Sequence, residues 1–68
     1  MYSTANYIFS LYRQGMEHAY VANLANHTND AERHQFFKMI LEEYDYWRLE
    51  QVMYDYETFL KDNRIKGE

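Results

Sequence analysis

Residues 42–57 read EEYDYWRLEQVMYDYE, with five aromatic rings, six carboxylates and one basic side chain, Arg48. The alternation Tyr44-Asp45-Tyr46 suits a strand, and aromatic residues favour strands in isolation. The surrounding spacing argues for a helix. Phe36, Phe37, Ile40, Leu41, Tyr44 and Trp47 recur every three or four positions, with Met, Leu, Glu, Gln, Lys and Arg between them, which is helical patterning in good helix formers. At about 100° per residue, Phe37, Ile40, Leu41, Tyr44, Trp47 and Tyr54 fall on one side of such a helix. Tyr46, Leu49, Val52, Met53, Tyr56 and Leu60 fall on nearly the other. The apolar stripe therefore changes sides between Tyr46 and Leu49.

Working outward, the chain lacks Pro, and its only Gly residues are Gly15 and Gly67, so the punctuation of strands and hairpins is missing. Ser3 or Thr4 can cap a first helix in which Ala5, Phe9, Tyr12, Met16, Ala19, Tyr20 and Asn23 recur on one face, with Arg13, Gln14 and Glu17 opposite. The spacing predicts an amphipathic helix over about 4–26. The cluster NHTNDAE, Asn26 to Glu32, follows as the turn, and Asn29 with Glu32 three positions on reads as a capping box. A second helix is expected over about 30–62, with 63–68 a frayed tail whose basic residues suit a helix C-terminus.

The fold expected is thus all-α: a single domain, 1–68, made of an antiparallel hairpin of helices 4–26 and 30–62. A hairpin explains only the first stripe, because the shorter first helix runs out near Val52. The second stripe needs either a kink or another chain. With neither Pro nor Gly to make a kink, the expectation is a homodimer forming a four-helix bundle, with Leu49, Val52, Met53, Tyr56 and Leu60 at its interface. Length points the same way. At 68 residues and without Cys, a lone core supplies only a few kcal/mol, and neither disulfides nor thiolate metal sites add to it. Gly15 costs about 1 kcal/mol relative to Ala inside a helix; beside Ile8, Ala19 and Ala22 it reads as a point of close backbone approach.

The net charge of −4 is uneven: residues 1–34 hold two basic and three acidic side chains, residues 35–68 five and eight. No window approaches the ~20 apolar residues of a membrane span, and residues 1–4 show no basic segment leading into an apolar run. A soluble, cytoplasmic protein is expected. Ser3, Ser10, Thr4, Thr28 and Thr58 stand in no nucleophile motif, and no Gly-rich phosphate loop occurs. A non-enzymatic protein without cofactor is therefore expected. The acidity of the aromatic stretch also argues against direct nucleic-acid binding, which needs a basic groove.

The same acidity suits contact with a basic protein surface. Glu43, Glu50 and Glu57 repeat every seven residues and form one acidic edge of the second helix, with Tyr46, Trp47 and Tyr54 near it. Tyr and Trp supply contact area while carboxylates steer association. The expected function is that of an inhibitor or adaptor of the phage or mobile-element type, acting on another protein, for instance by occupying the basic groove of a nucleic-acid-binding protein. The alternative is a metal-carrying helical bundle. His27, Asp30 and His34 lie close in sequence, and Asp30 and His34 share a helix face at i, i+4. The stretch AERHQFFKMILEEYDYWRLEQVM, residues 31–53, resembles in its patterning a ferritin-like or rubrerythrin helix, where a Glu is followed three positions later by a His facing a di-iron centre. Tyr46 stands where that His should follow Glu43, and no Glu-x-x-His occurs elsewhere, so the resemblance is one of helical patterning.

Overall fold

The computed structural model describes residues 4–66, with side chains from 4 to 62. These residues form four helices and no strand: α1 (Thr4–Arg13), α2 (Glu17–Asn26), α3 (Asp30–Glu43) and α4 (Tyr46–Lys66). The all-helical class follows the spacing of the apolar residues. The two long helices do not: each is broken once, at a place where the chain supplies the backbone with other hydrogen-bond partners.

The first break is at Gly15. Its φ of +78° is the only positive one among the described residues. The N–H of Met16 donates to the Leu11 carbonyl and that of Gly15 to the Tyr12 carbonyl, both at 3.1 Å. This pair of bonds is the Schellman closure, which uses up the last carbonyls of a helix and needs a left-handed residue at its turn. A Cβ built at Gly15 meets nothing within 4 Å. The expected close approach of a neighbouring backbone is therefore absent, and Gly15 is required by its conformation. α2 then starts without a side-chain cap.

The turn between α2 and α3 follows the sequence closely. Asn29 accepts the Glu32 N–H at 2.8 Å, and Glu32 accepts the Asn29 N–H at 2.9 Å, the reciprocal capping box read from the spacing. Arg33 reaches back to the Thr28 carbonyl at 3.2 Å and pairs with Asp30.

The second break corrects the expected 30–62 helix. α3 closes at Tyr44, whose N–H still donates to the Ile40 carbonyl at 2.9 Å but whose φ and ψ are −121° and −116°. Asp45 then acts as a new N-cap: its side chain accepts the Arg48 N–H at 2.8 Å, and its carbonyl accepts the Leu49 N–H at 3.1 Å. An aspartate cap thus interrupts the helix without Pro or Gly. Two non-helical residues reset the rotation of α4 relative to α3, so the apolar stripe can change sides within one chain. α4 continues through Lys66, beyond the expected end at 62; of the expected frayed tail, Gly67 and Glu68 lie outside the described residues.

The four helices close into a ring in which α1 packs on α2 and α3, and α4 packs on the same two. Their shared core holds Ala5, Ile8, Phe9 and Leu11 of α1, Tyr20, Val21 and Leu24 of α2, Phe36 and Ile40 of α3, and Val52 of α4. One chain thus supplies the four helices that two chains were expected to supply. Phe36, fully buried, is the hub of an aromatic cluster, with the rings of Phe9, Tyr12, Tyr20 and Phe37 at 6.5, 6.4, 6.1 and 6.1 Å. Tyr12 meets Tyr20 edge-on at 5.0 Å and Tyr44 at 5.5 Å. Edge-to-face pairs of this kind add about 0.5–1.5 kcal/mol each beyond area burial. Across the core, the buried Tyr20 hydroxyl donates to Asp55 Oδ2 at 3.1 Å, joining α2 to α4. Burial first, and the Asp55 carboxylate second, push the Tyr20 phenol well above its ordinary value.

The break at Gly15 has a test of sign. In a continuous helix Gly15→Ala would stabilise the protein by about 1 kcal/mol; at φ +78° it should instead cost about 1–2 kcal/mol by urea denaturation, with no steric clash to add to the loss. Asp45→Ala and Asn29→Ala should each cost about 1 kcal/mol through loss of a cap. Tyr20→Phe tests the link to Asp55 and should cost about 1–2 kcal/mol at neutral pH. Because the folded state holds the phenol proton more tightly than the unfolded chain, the stability due to neutral Tyr20 is intact below a pH of about 10 and declines above it. The gap between wild type and Tyr20→Phe should therefore narrow as denaturation is repeated from pH 9 upward; a constant gap would show that the hydroxyl does not titrate with unfolding.

Candidate protein interface

α4 turns Val52 fully into the core and packs Leu49, Tyr56 and Phe59 against it. At about 100° per residue, the opposite face carries Tyr46, Trp47, Glu50, Tyr54 and Glu57. All five are exposed. Tyr46, Trp47 and Tyr54 are 63%, 64% and 66% exposed, the highest values among the large hydrophobic residues described. Trp47 and Tyr54 are seven positions apart, as are Glu50 and Glu57, so two turns of helix, about 10 Å, separate the members of each pair. An aromatic stripe and an acidic stripe run side by side along one rigid element. Rings left in water beside carboxylates, while other rings of the chain are packed into its core, mark a surface suited to contact.

Five of the six residues expected at a partner surface share this face. Glu43 does not. It ends α3, ahead of the turn at Tyr44 and Asp45, so the seven-residue repeat Glu43, Glu50, Glu57 is not carried on one helix, and the acidic edge consists of Glu50 and Glu57. The residues expected at a dimer interface are divided. Val52 is fully buried by its own chain, Leu49 and Tyr56 pack on the same core, Leu60 is half-buried, and Met53 is 41% exposed. The geometric reason for invoking a second chain, the change of side in the apolar stripe, is met by the break before α4.

Of the residues of the metal alternative, Asp30 pairs with Arg33. His27 closes α2, its N–H donating to the Asn23 carbonyl at 2.9 Å, and His34 is exposed on α3. Among the described residues no group of three His, Cys, Asp or Glu is placed to hold a metal ion. No helix of the described chain is long and apolar enough to cross a membrane.

One feature of the surface was not anticipated from sequence. A groove follows the seam of α2 and α4, made of two hollows of about 220 and 370 Å³ that share Glu17 and Asp55 as walls. Glu17 and His18 are visible in the sequence as the polar flank of the first helix. Asp55, Thr58 and Asp62 follow one another at helical spacing on the second. Nothing local brings the two sets together; that requires α2 to lie against α4. Compared with known proteins, the chain matches no family model, no curated protein sequence and no solved structure, so the reading of this surface rests on its own geometry and chemistry.

Proposed function

We propose that this chain is a non-enzymatic interaction protein, an inhibitor or adaptor, that binds another protein through the outer face of α4. The observation that carries this reading is the exposure of Tyr46, Trp47 and Tyr54 beside Glu50 and Glu57 on a helix whose other face is already used by the core. Large aromatic side chains supply most of the binding energy at protein interfaces, because each buries much area at small entropic cost. The paired carboxylates and the net charge of −4 favour a partner with a basic surface, such as the nucleic-acid-binding groove of another protein. There the acids would take positions otherwise held by phosphates. Self-association is not required by this reading, since one chain completes the core that the face stands on.

The test uses the intact protein as bait, followed by binding kinetics on the partner it retains. Trp47→Ser with Tyr54→Ser should leave helix content and melting temperature unchanged and weaken binding by on the order of 2 kcal/mol or more. Glu50→Gln with Glu57→Gln should slow association severalfold at low salt and have little effect near 0.5 M, where exposed charges are screened. Binding that ignores both double variants and the salt concentration would remove α4 as the contact surface.

A further inference from the structure

The groove along the α2–α4 seam runs over the edge of the core, at Tyr20, Val21 and Val52, and lies beside the proposed contact face. Trp47 lines one of its hollows and Asp62 the other; at 1.5 Å per helical residue these ends are about 22 Å apart. Its floor is apolar. Val21 is buried, Phe59 is half-buried, and the His18 ring stands edge-on to Phe59 at 5.9 Å. Its rim is acidic, with Glu17, Asp55 and Asp62, and none of these three is in an ion pair among the described residues. The one basic side chain in the lining, Arg48, is held at the far hollow, over the Tyr44 ring at 5.5 Å and against the Tyr12 hydroxyl at 3.3 Å.

This combination selects a type of occupant. The carboxylates are spread along the groove and do not gather as metal ligands do. An elongated cation with an apolar stem fits such a site better than a point charge, since the stem can cover the floor while the charged end reaches the rim. Among the described residues, the guanidinium groups of Arg13, Arg33 and Arg48 each lie over an aromatic ring at 5.9, 5.8 and 5.5 Å, so rings and arginine already meet on this surface. We propose that the seam receives an arginine side chain of the partner protein, its stem lying on Val21 and Phe59 and its guanidinium between Glu17 and Asp55. The proposal rests on the reading of α4 as a contact surface for a basic partner. Trp47, which is on that face and lines the groove, makes the two surfaces continuous.

The experiment titrates the ¹⁵N-labelled protein with a blocked pentapeptide, Ala-Arg-Ala-Arg-Ala, and with its citrulline counterpart, which keeps the shape and removes the charge. The arginine peptide should produce saturable shifts at the amides of His18, Val21 and Phe59 with a Kd of about a millimolar, and the citrulline peptide none. Glu17→Gln with Asp62→Asn, which leaves the Tyr20 bond to Asp55 in place, should weaken the peptide about three- to tenfold. Glu42→Gln, exposed on α3 away from both surfaces, should leave peptide binding as in wild type. Equal shifts with citrulline, or shifts that never saturate and spread over the acidic surface, would overturn the seam as a site. The two readings fail separately. Partner binding lost in the α4 variants without any seam response to the peptide removes only the groove, whereas a seam response with partner binding indifferent to the α4 variants removes only the outer face.

Discussion

Asp45 accepts the backbone N–H of Arg48, and that 2.8 Å bond allows α4 to begin afresh two residues after α3 has ended. The rest of the arrangement depends on it. Without a new start, a helix running on from Asp30 would carry Val52 and Tyr56 away from the side that holds Phe36 and Ile40. With it, the second stripe of apolar residues turns toward α2, and the ring of helices closes. The residue three positions on also secures the corner: Arg48 gives its N–H to the cap while its guanidinium lies over Tyr44 and donates to Tyr12. Charge, ring and backbone are joined at one bend, so α1 is fixed to the junction of α3 and α4 by side chains as well as by packing.

The aromatic content follows from the shortness of the chain. Four helices of this size cannot enclose a thick aliphatic centre, and large rings gain more buried area per residue than aliphatic side chains do. Tyrosine then has an advantage over phenylalanine at the edge of such a core, because its hydroxyl can reach a polar partner. Tyr20 does so at Asp55, and Tyr12 accepts from Arg48. No buried side-chain polar atom among the described residues is left without a partner.

What could be read from the sequence divides by range. The Asn29 and Glu32 box was legible because both members lie within one turn and satisfy each other. Gly15 was visible but misread: in a sequence, a glycine needed for its backbone angle looks the same as one needed for close packing, and only the carbonyls of Leu11 and Tyr12 distinguish them. The change of side after Tyr46 is visible as a pattern, but a break that accounts for it within one chain is not, since a helix can be stopped by a competing side-chain acceptor as well as by Pro or Gly. Glu43 leaves the acidic edge for the same reason. Tyr46, Trp47, Glu50, Tyr54 and Glu57 kept their common face because they all lie after the break, where the period is uninterrupted. The groove between α2 and α4 had no sequence signal, as its two walls are separated in the chain by the whole of α3.

The lengths of α1 and α2 bear on how the molecule is lost as well as on how it is made. Each has ten residues, below the roughly 12–15 at which an isolated helix begins to persist in water. Neither can therefore outlive the packing that surrounds it, and a chain cut in the turn at 27–29 would leave two halves with no core of their own. Degradation of such a protein is close to all-or-none: a single cleavage there removes the folded species from circulation, and the surface of α4 disappears together with the helices that support it.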